Sequence, residues 1–91
     1  MAICIKPNRE IIENINPKNG TDFTLEEVYE YVGSPVQLLD VSENEYALIN
    51  EEGKVRDMEY NSLATELLDG IIFPGDYIVG NMMIVNKSQF L

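Results

Sequence analysis

The apolar segments of this 91-residue chain are short, and turn formers close them off. Residues 2–6, Ala-Ile-Cys-Ile-Lys, stop at Pro7-Asn8, and residues 36–41 and 46–50 are separated by the polar turn Ser42-Glu43-Asn44-Glu45. Asn16-Pro17-Lys18-Asn19-Gly20, Glu51-Glu52-Gly53-Lys54 and Pro74-Gly75-Asp76 supply further breaks. Parallel strands need crossovers of a dozen or more residues, usually helical, whereas antiparallel strands need only a tight turn. Strands that arrive in hairpins beside short helices therefore predict an α+β fold: a mostly antiparallel sheet of about five strands with two short helices packed on it. The length suits one domain with one modest core, to which oligomerisation would add burial.

Residues 9–15 are ambiguous. Ile11 and Ile15 are helically spaced, but Ile12 and its β-branched neighbours favour a strand, read here as the hairpin partner of the first. Thr24-Leu25-Glu26-Glu27 fits a capping box and opens a helix to Val32. Leu25, Val28, Tyr29 and Val32 form its apolar face, Glu26, Glu27 and Glu30 its acidic one, and Gly33-Ser34-Pro35 its end. Asn61 is an N-cap for a second helix over residues 62–68, with Leu63, Leu67 and Ile71 on one side, Leu68 beside them and Gly70 as a stop. The last strand is delivered by the turn at Pro74-Gly75-Asp76. Tyr77, Val79 and Met82 alternate with Ile78 and Gly80, so both faces are apolar and the strand is expected to be central. Gly80 within it points to a bulge or a close backbone approach.

The chain has no histidine, so no Ser-His or Cys-His pair can be assembled and histidine-ligated zinc is excluded. Its one cysteine, Cys4, cannot form an internal disulfide and reads as a small buried strand residue. Sixteen acidic residues against six basic ones give a net charge of −10. Such a surface repels nucleic acid, whose binding depends on neutralising phosphates. Apolar runs fall far short of the roughly 20 residues that span a bilayer, and no signal-peptide pattern opens the chain. A cytoplasmic protein is expected, with no direct nucleic-acid or membrane partner.

Two motifs fail on inspection. Asp40, Ser42, Asn44 and Glu51 match an EF-hand loop in part, but the required glycine is Glu45, and the flanks read as strands. Gly75 and Gly80 have phosphate-loop spacing, yet Asn81 and Met82 stand where Lys and Ser/Thr are needed. No metal or cofactor is expected.

The order of Ile5-Lys6-Pro7, Asn50-Glu51-Glu52-Gly53-Lys54, Asn61-x-x-Ala64-Thr65 and Asp76-Tyr77-Ile78-Val79-Gly80 is similar to a family of small uncharacterised domains of bacteriophages, plasmids and bacteria. The resemblance spans nearly the whole chain. It implies an accessory protein of mobile elements acting in a bacterial host cell, some such domains occurring alongside antirestriction proteins, and it carries no catalytic residues.

Two functions follow as expectations. One is counter-defence by sequestering a small nucleotide immune signal. Its anion site would be the helix start at Asn61 and Ser62 with the basic pair Lys54 and Arg56, while Asn50 and Asn81 would read a base or ribose. The same residues serve equally as a cap, turn charges and turn formers. The other is an acidic inhibitor of a host defence protein, mimicking DNA with Glu26, Glu30, Glu43, Glu45, Glu51, Glu52, Asp57 and Glu59. Neither is enzymatic. Acid pairs could serve general acid–base chemistry, but no spacing selects one.

Overall fold

The computed structural model describes residues 2–90. Five strands, β1 (Ala2–Ile5), β2 (Ile11–Ile15), β3 (Val36–Asp40), β4 (Glu45–Asn50) and β5 (Met82–Asn86), form one sheet in the order β2-β1-β5-β4-β3. Every neighbouring pair is antiparallel. Helix α1 (Leu25–Val32) follows the first hairpin, α2 (Ser62–Leu67) follows the second, and a 3-10 turn at Lys87–Gln89 follows β5. The expected α+β architecture is thus the observed one.

The C-terminal strand β5 lies between β1 and β4 and joins the two hairpins into one sheet. Both of its faces are covered, which is why Met82, Met83 and Val85 are all fully buried. On one face Cys4, Leu48, Met83 and Val85 pack with Val28 and Val32 of α1. On the other Ile5, Ala47 and Met82 pack with Ala64, Leu68 and Ile78. The two-residue period of the strands sends Met82 and Met83 into different cores.

Residues 9–15 read ambiguously because their strand is bulged. Cys4 pairs with Ile12 but Ala2 with Ile15, so the register shifts between them, and Asn14 takes a φ of 59°. The extra residue lets Ile12 and Ile15, three apart, reach the same core. A spacing that resembles a helix is thereby accommodated in a strand.

Three expectations change. The last strand begins at Met82 rather than Tyr77, because the preceding segment turns aside to meet residues 59–61: the Asn61 N–H donates to Ile78 O at 2.9 Å and the Gly80 N–H to Glu59 O at 2.7 Å. Gly80 then redirects the chain with a φ of 74°, and a Cβ there would lie 2.9 Å from Met58 Sδ. The buried side of α2 is Ala64 and Leu68, with Leu63 against it, whereas Leu67 and Ile71 stand half exposed. Small Ala64 lets the helix approach the sheet closely, and the helix ends before Ile71 can join its face.

The third change concerns Glu27, expected on a solvated acidic face and instead buried. Its Oε1 accepts from the Thr24 N–H at 3.1 Å while Thr24 Oγ1 accepts from the Glu27 N–H at 3.2 Å, completing the capping box. Its Oε2 accepts from the Lys18 N–H at 3.0 Å, which ties the preceding loop to the helix. Leu25 and Tyr29, placed on the apolar face, are the outer members of it and remain partly exposed.

The backbone N–H of Lys18, and then that of Thr24, hold the Glu27 carboxyl below the ordinary glutamate pKa of 4.5. On acidification the unfolded chain therefore takes up its proton first, so this stabilisation is present above pH 4.5 and is lost as pH falls through the folded-state value. Urea unfolding should show Glu27→Gln less stable than the parent at pH 7, with the gap narrowing below pH 4.5. Burial also pushes the Cys4 thiol up to about 11, against the small opposing pull of Lys6. A thiol reagent should leave Cys4 unmodified in the folded protein at pH 7.5 and label it in urea.

Candidate functional site

Asn61 caps α2 and does more. Its side chain is 0% exposed: Oδ1 accepts from the Ala64 N–H at 3.0 Å, and Nδ2 donates to Ile5 O at 3.0 Å and Gly80 O at 2.8 Å. Both amide hydrogens and the carbonyl are thus engaged within the fold. Ser62 beside it accepts from Arg9 Nη1 at 3.0 Å through its hydroxyl.

The other amides are also tied down. Asn50 is buried, with Nδ2 donating to Val32 O at 3.2 Å and Ser34 O at 3.4 Å and Oδ1 accepting from the Glu52 N–H at 2.8 Å. It locks the end of α1 to the end of β4. A Cβ on Gly33 would come within 2.9 Å of Asn50 Nδ2, so that position must stay open for the amide. Asn81 donates to Tyr31 O at 2.7 Å, fastening the entry of β5 to α1.

Lys54 and Arg56, two apart in the chain, diverge. Arg56 bonds the Glu52 carboxylate at 2.7 Å and Ser34 O at 2.9 Å. Lys54 turns toward Asp76, contacts its carboxylate, and lies 4.4 Å from the Tyr77 ring centroid. Of the six candidates, Asn50 and Lys54 reach a common cleft, while Arg56, Asn61, Ser62 and Asn81 do not line it.

This cleft lies on the α2 side of the sheet, where residues 72–79 pass over β3 and β4. It has a volume of about 220 Å³, with Leu39, Ile49 and Ile72 among its apolar walls and Gln37, Asn50, Glu51, Lys54, Asp76 and Tyr77 as its polar lining. Gln37 and Ile49 are cross-strand partners, and Leu39 follows Gln37 by the strand period, so all three face the same way. A more open groove of about 460 Å³ continues past Gln37, Leu39 and Ile72 to Ile71, Phe73 and Pro74. The groove falls within the roughly 300–1,000 Å³ of ligand pockets, the inner cleft below it.

Electrostatics set what the cleft can hold. The Lys54 ammonium, and next the Tyr77 N–H, which donates to Asp76 Oδ1 at 2.8 Å, keep the Asp76 carboxyl below its ordinary pKa. Outside the lining, Tyr60 packs on Tyr77, its ring centroid 6.0 Å from that of Tyr77 at an interplanar angle of 59°. Lys54 is half exposed, and an ion pair in such a position contributes only about 0–1 kcal/mol. An anionic ligand can therefore take over the ammonium at little cost. The other five basic side chains are paired with carboxylates as well: Lys6 with Glu10, Arg9 with Glu66, Lys18 with Glu30, Arg56 with Glu52 and Lys87 with Asp40.

Gln37, Leu39, Ile72, Asp76 and Tyr77 were not singled out as ligand residues by sequence reasoning. Tyr77 reads as part of the last strand, and Gln37 falls within the strand expected over residues 36–41.

Residues 1–89 match the family described as Domain of unknown function (DUF3846), and the chain belongs to that family. Comparison with curated proteins and with solved structures finds no match.

Because Asn61 bonds three backbone groups from separate parts of the chain, its removal leaves buried polar atoms without partners. Asn61→Ala should cost about 3 kcal/mol, from a lost cap and unsatisfied carbonyls. A urea midpoint that hardly moves would show that these bonds contribute little.

Proposed function

We propose that this member of the DUF3846 family is a non-enzymatic binding protein that holds a small nucleotide in the cleft over β3 and β4 and the groove that continues from it. Its role would be that of a bacteriophage or other mobile-element protein, withholding a nucleotide immune signal from a host defence enzyme in the bacterial cytoplasm. The observation that carries the binding reading is the pairing of Tyr77 and Lys54 on the wall of a cleft of mixed polar and apolar lining, with the Gln37 amide also lining it. An aromatic face stacks a base for about 1–3 kcal/mol whatever its identity. An amide can exchange hydrogen bonds with a base edge, and Lys54 can pass from Asp76 to a phosphate at the mouth. Within the net charge of −10, that single cation decides where the anionic end of a ligand lies.

A second reading, an acidic inhibitor of a host defence protein, is favoured by a different observation. With all six basic side chains already paired, ten of the sixteen carboxylates have no basic partner among the described residues, and all of these but the buried Glu27 are left to the surface. Such a surface attracts a protein that ordinarily binds phosphates.

Mass spectrometry of small molecules released by heating protein purified from infected cells separates the two. Release of a nucleotide supports the cleft reading, while a co-purifying host enzyme and no nucleotide would overturn it. On the cleft reading Tyr77→Ala and Lys54→Ala each weaken nucleotide binding about tenfold in calorimetry, the loss of one such contact. Arg56→Ala, outside the cleft, leaves it unchanged. Equal losses from Lys54→Ala and Arg56→Ala would place the ligand elsewhere.

A further inference from the structure

The two edges of the sheet are built differently. At one end β2 is interrupted by its bulge, with Asn14 at positive φ and the charged Glu13 exposed. These are devices by which natural sheets block unwanted pairing. At the other end β3 has neither bulge nor lysine: it pairs with β4 through five consecutive residues without a register shift, its Pro35 lies just before it, and its one charge, the exposed Asp40, is paired with Lys87.

The direction of its open hydrogen-bonding groups follows from the ladder. Pro35 O accepts from the Glu51 N–H at 2.9 Å and the Val41 N–H donates to Glu45 O at 3.3 Å, which makes 35, 37, 39 and 41 the residues bonded to β4. The N–H and C=O groups of Val36, Leu38 and Asp40 accordingly point away from β4. Among the described residues no strand lies beyond them. Leu38 is 44% exposed on one side of this edge, and on the other the groove beside Gln37 and Leu39 ends at Phe73, which is 84% exposed.

We propose that the β3 edge receives an extended segment of a basic partner protein as a sixth strand. Main-chain bonds to Val36, Leu38 and Asp40 supply the attachment, and alternate side chains of the segment lie over Phe73 and beside Leu38. Charge selects the partner. The only ionic group on β3, Asp40, is already paired with Lys87, so the edge itself is neutral, while the molecule around it carries −10. A segment bearing Lys or Arg is drawn to it, whereas a second copy brings the same negative charge. The inference does not depend on what the cleft holds.

The probe is a fluorescent, acetylated and amidated heptapeptide alternating Lys and Val, compared with one alternating Glu and Val. The Lys peptide should bind, lose at least fivefold in affinity between 50 and 300 mM salt, and slow hydrogen exchange at the amides of Val36, Leu38 and Asp40. Leu38→Pro removes an outward N–H that the β4 ladder does not use, a position where edge strands tolerate proline. It should abolish binding, and Leu38→Ala, which keeps the N–H, should retain it within about threefold. Should Leu38→Pro fail to fold, the exchange pattern in the parent protein decides. No binding at millimolar peptide, equal binding of the Glu peptide, slowed exchange confined to other segments, or dimers of the protein alone that Leu38→Pro dissolves would each overturn the proposal.

Discussion

The buried amide of Asn61 is the contact on which this arrangement depends. Through one side chain it links the carbonyl of Ile5 at the end of β1, the carbonyl of Gly80 just before β5, and the Ala64 amide in the first turn of α2. β1 and β5 are sheet neighbours, so the amide sits where the last strand enters beside the first. Gly80 provides the sharp turn, and Asn61 supplies the partner that the turn would otherwise leave missing. Buried polar groups are tolerable only when such partners are present. The same residue is therefore cap, clamp and spacer.

From that anchor the position of the cleft follows. Residues 72–79 must travel from the end of α2 back to the entry of β5, and on the way they pass over the α2-side face of β3 and β4. Ile72, Asp76 and Tyr77 come to rest above Gln37, Leu39 and Ile49. Lys54 arrives from the β4–α2 connection and meets Tyr77 and Asp76 there. Four separate stretches of chain thus contribute to one surface, held by scaffold bonds that the ligand itself need not touch. The open β3 edge adjoins that surface because the groove runs out along Gln37 and Leu39.

The fold was largely legible. Short apolar runs with turn formers between them foretold the hairpins and the capping box foretold α1; the last strand is central as expected, although Tyr77 to Gly80, read as its two faces, lie before it. What misled were cases in which one pattern has two physical sources. Asn50, Asn61 and Asn81 are polar residues of the kind that bind ligands, yet each is occupied with backbone groups 18 to 56 residues away along the chain. Sequence cannot separate those uses, because an amide looks the same whether it meets a ligand or a distant carbonyl. Glu27 belonged to an acidic face by helical spacing, but the Lys18 amide that buries it comes from the preceding loop. Likewise the helical spacing of Ile11 and Ile15 misleads: the segment is a bulged strand, in which Ile12 and Ile15 share a core and Ile11 stays exposed.

By itself the sequence determined the class of fold, the excess of negative charge, and the absence of histidine from any possible site, since these follow from local pattern and composition. Tertiary structure alone decided the order of strands, the grouping of Lys54 with Tyr77 and Gln37, the separation of Lys54 from Arg56, and which sheet edge stays open. The reason is one of range. Propensity, capping and hydrophobic alternation act over a few residues, whereas a cleft or an open edge is defined by which distant segments pack together and which do not.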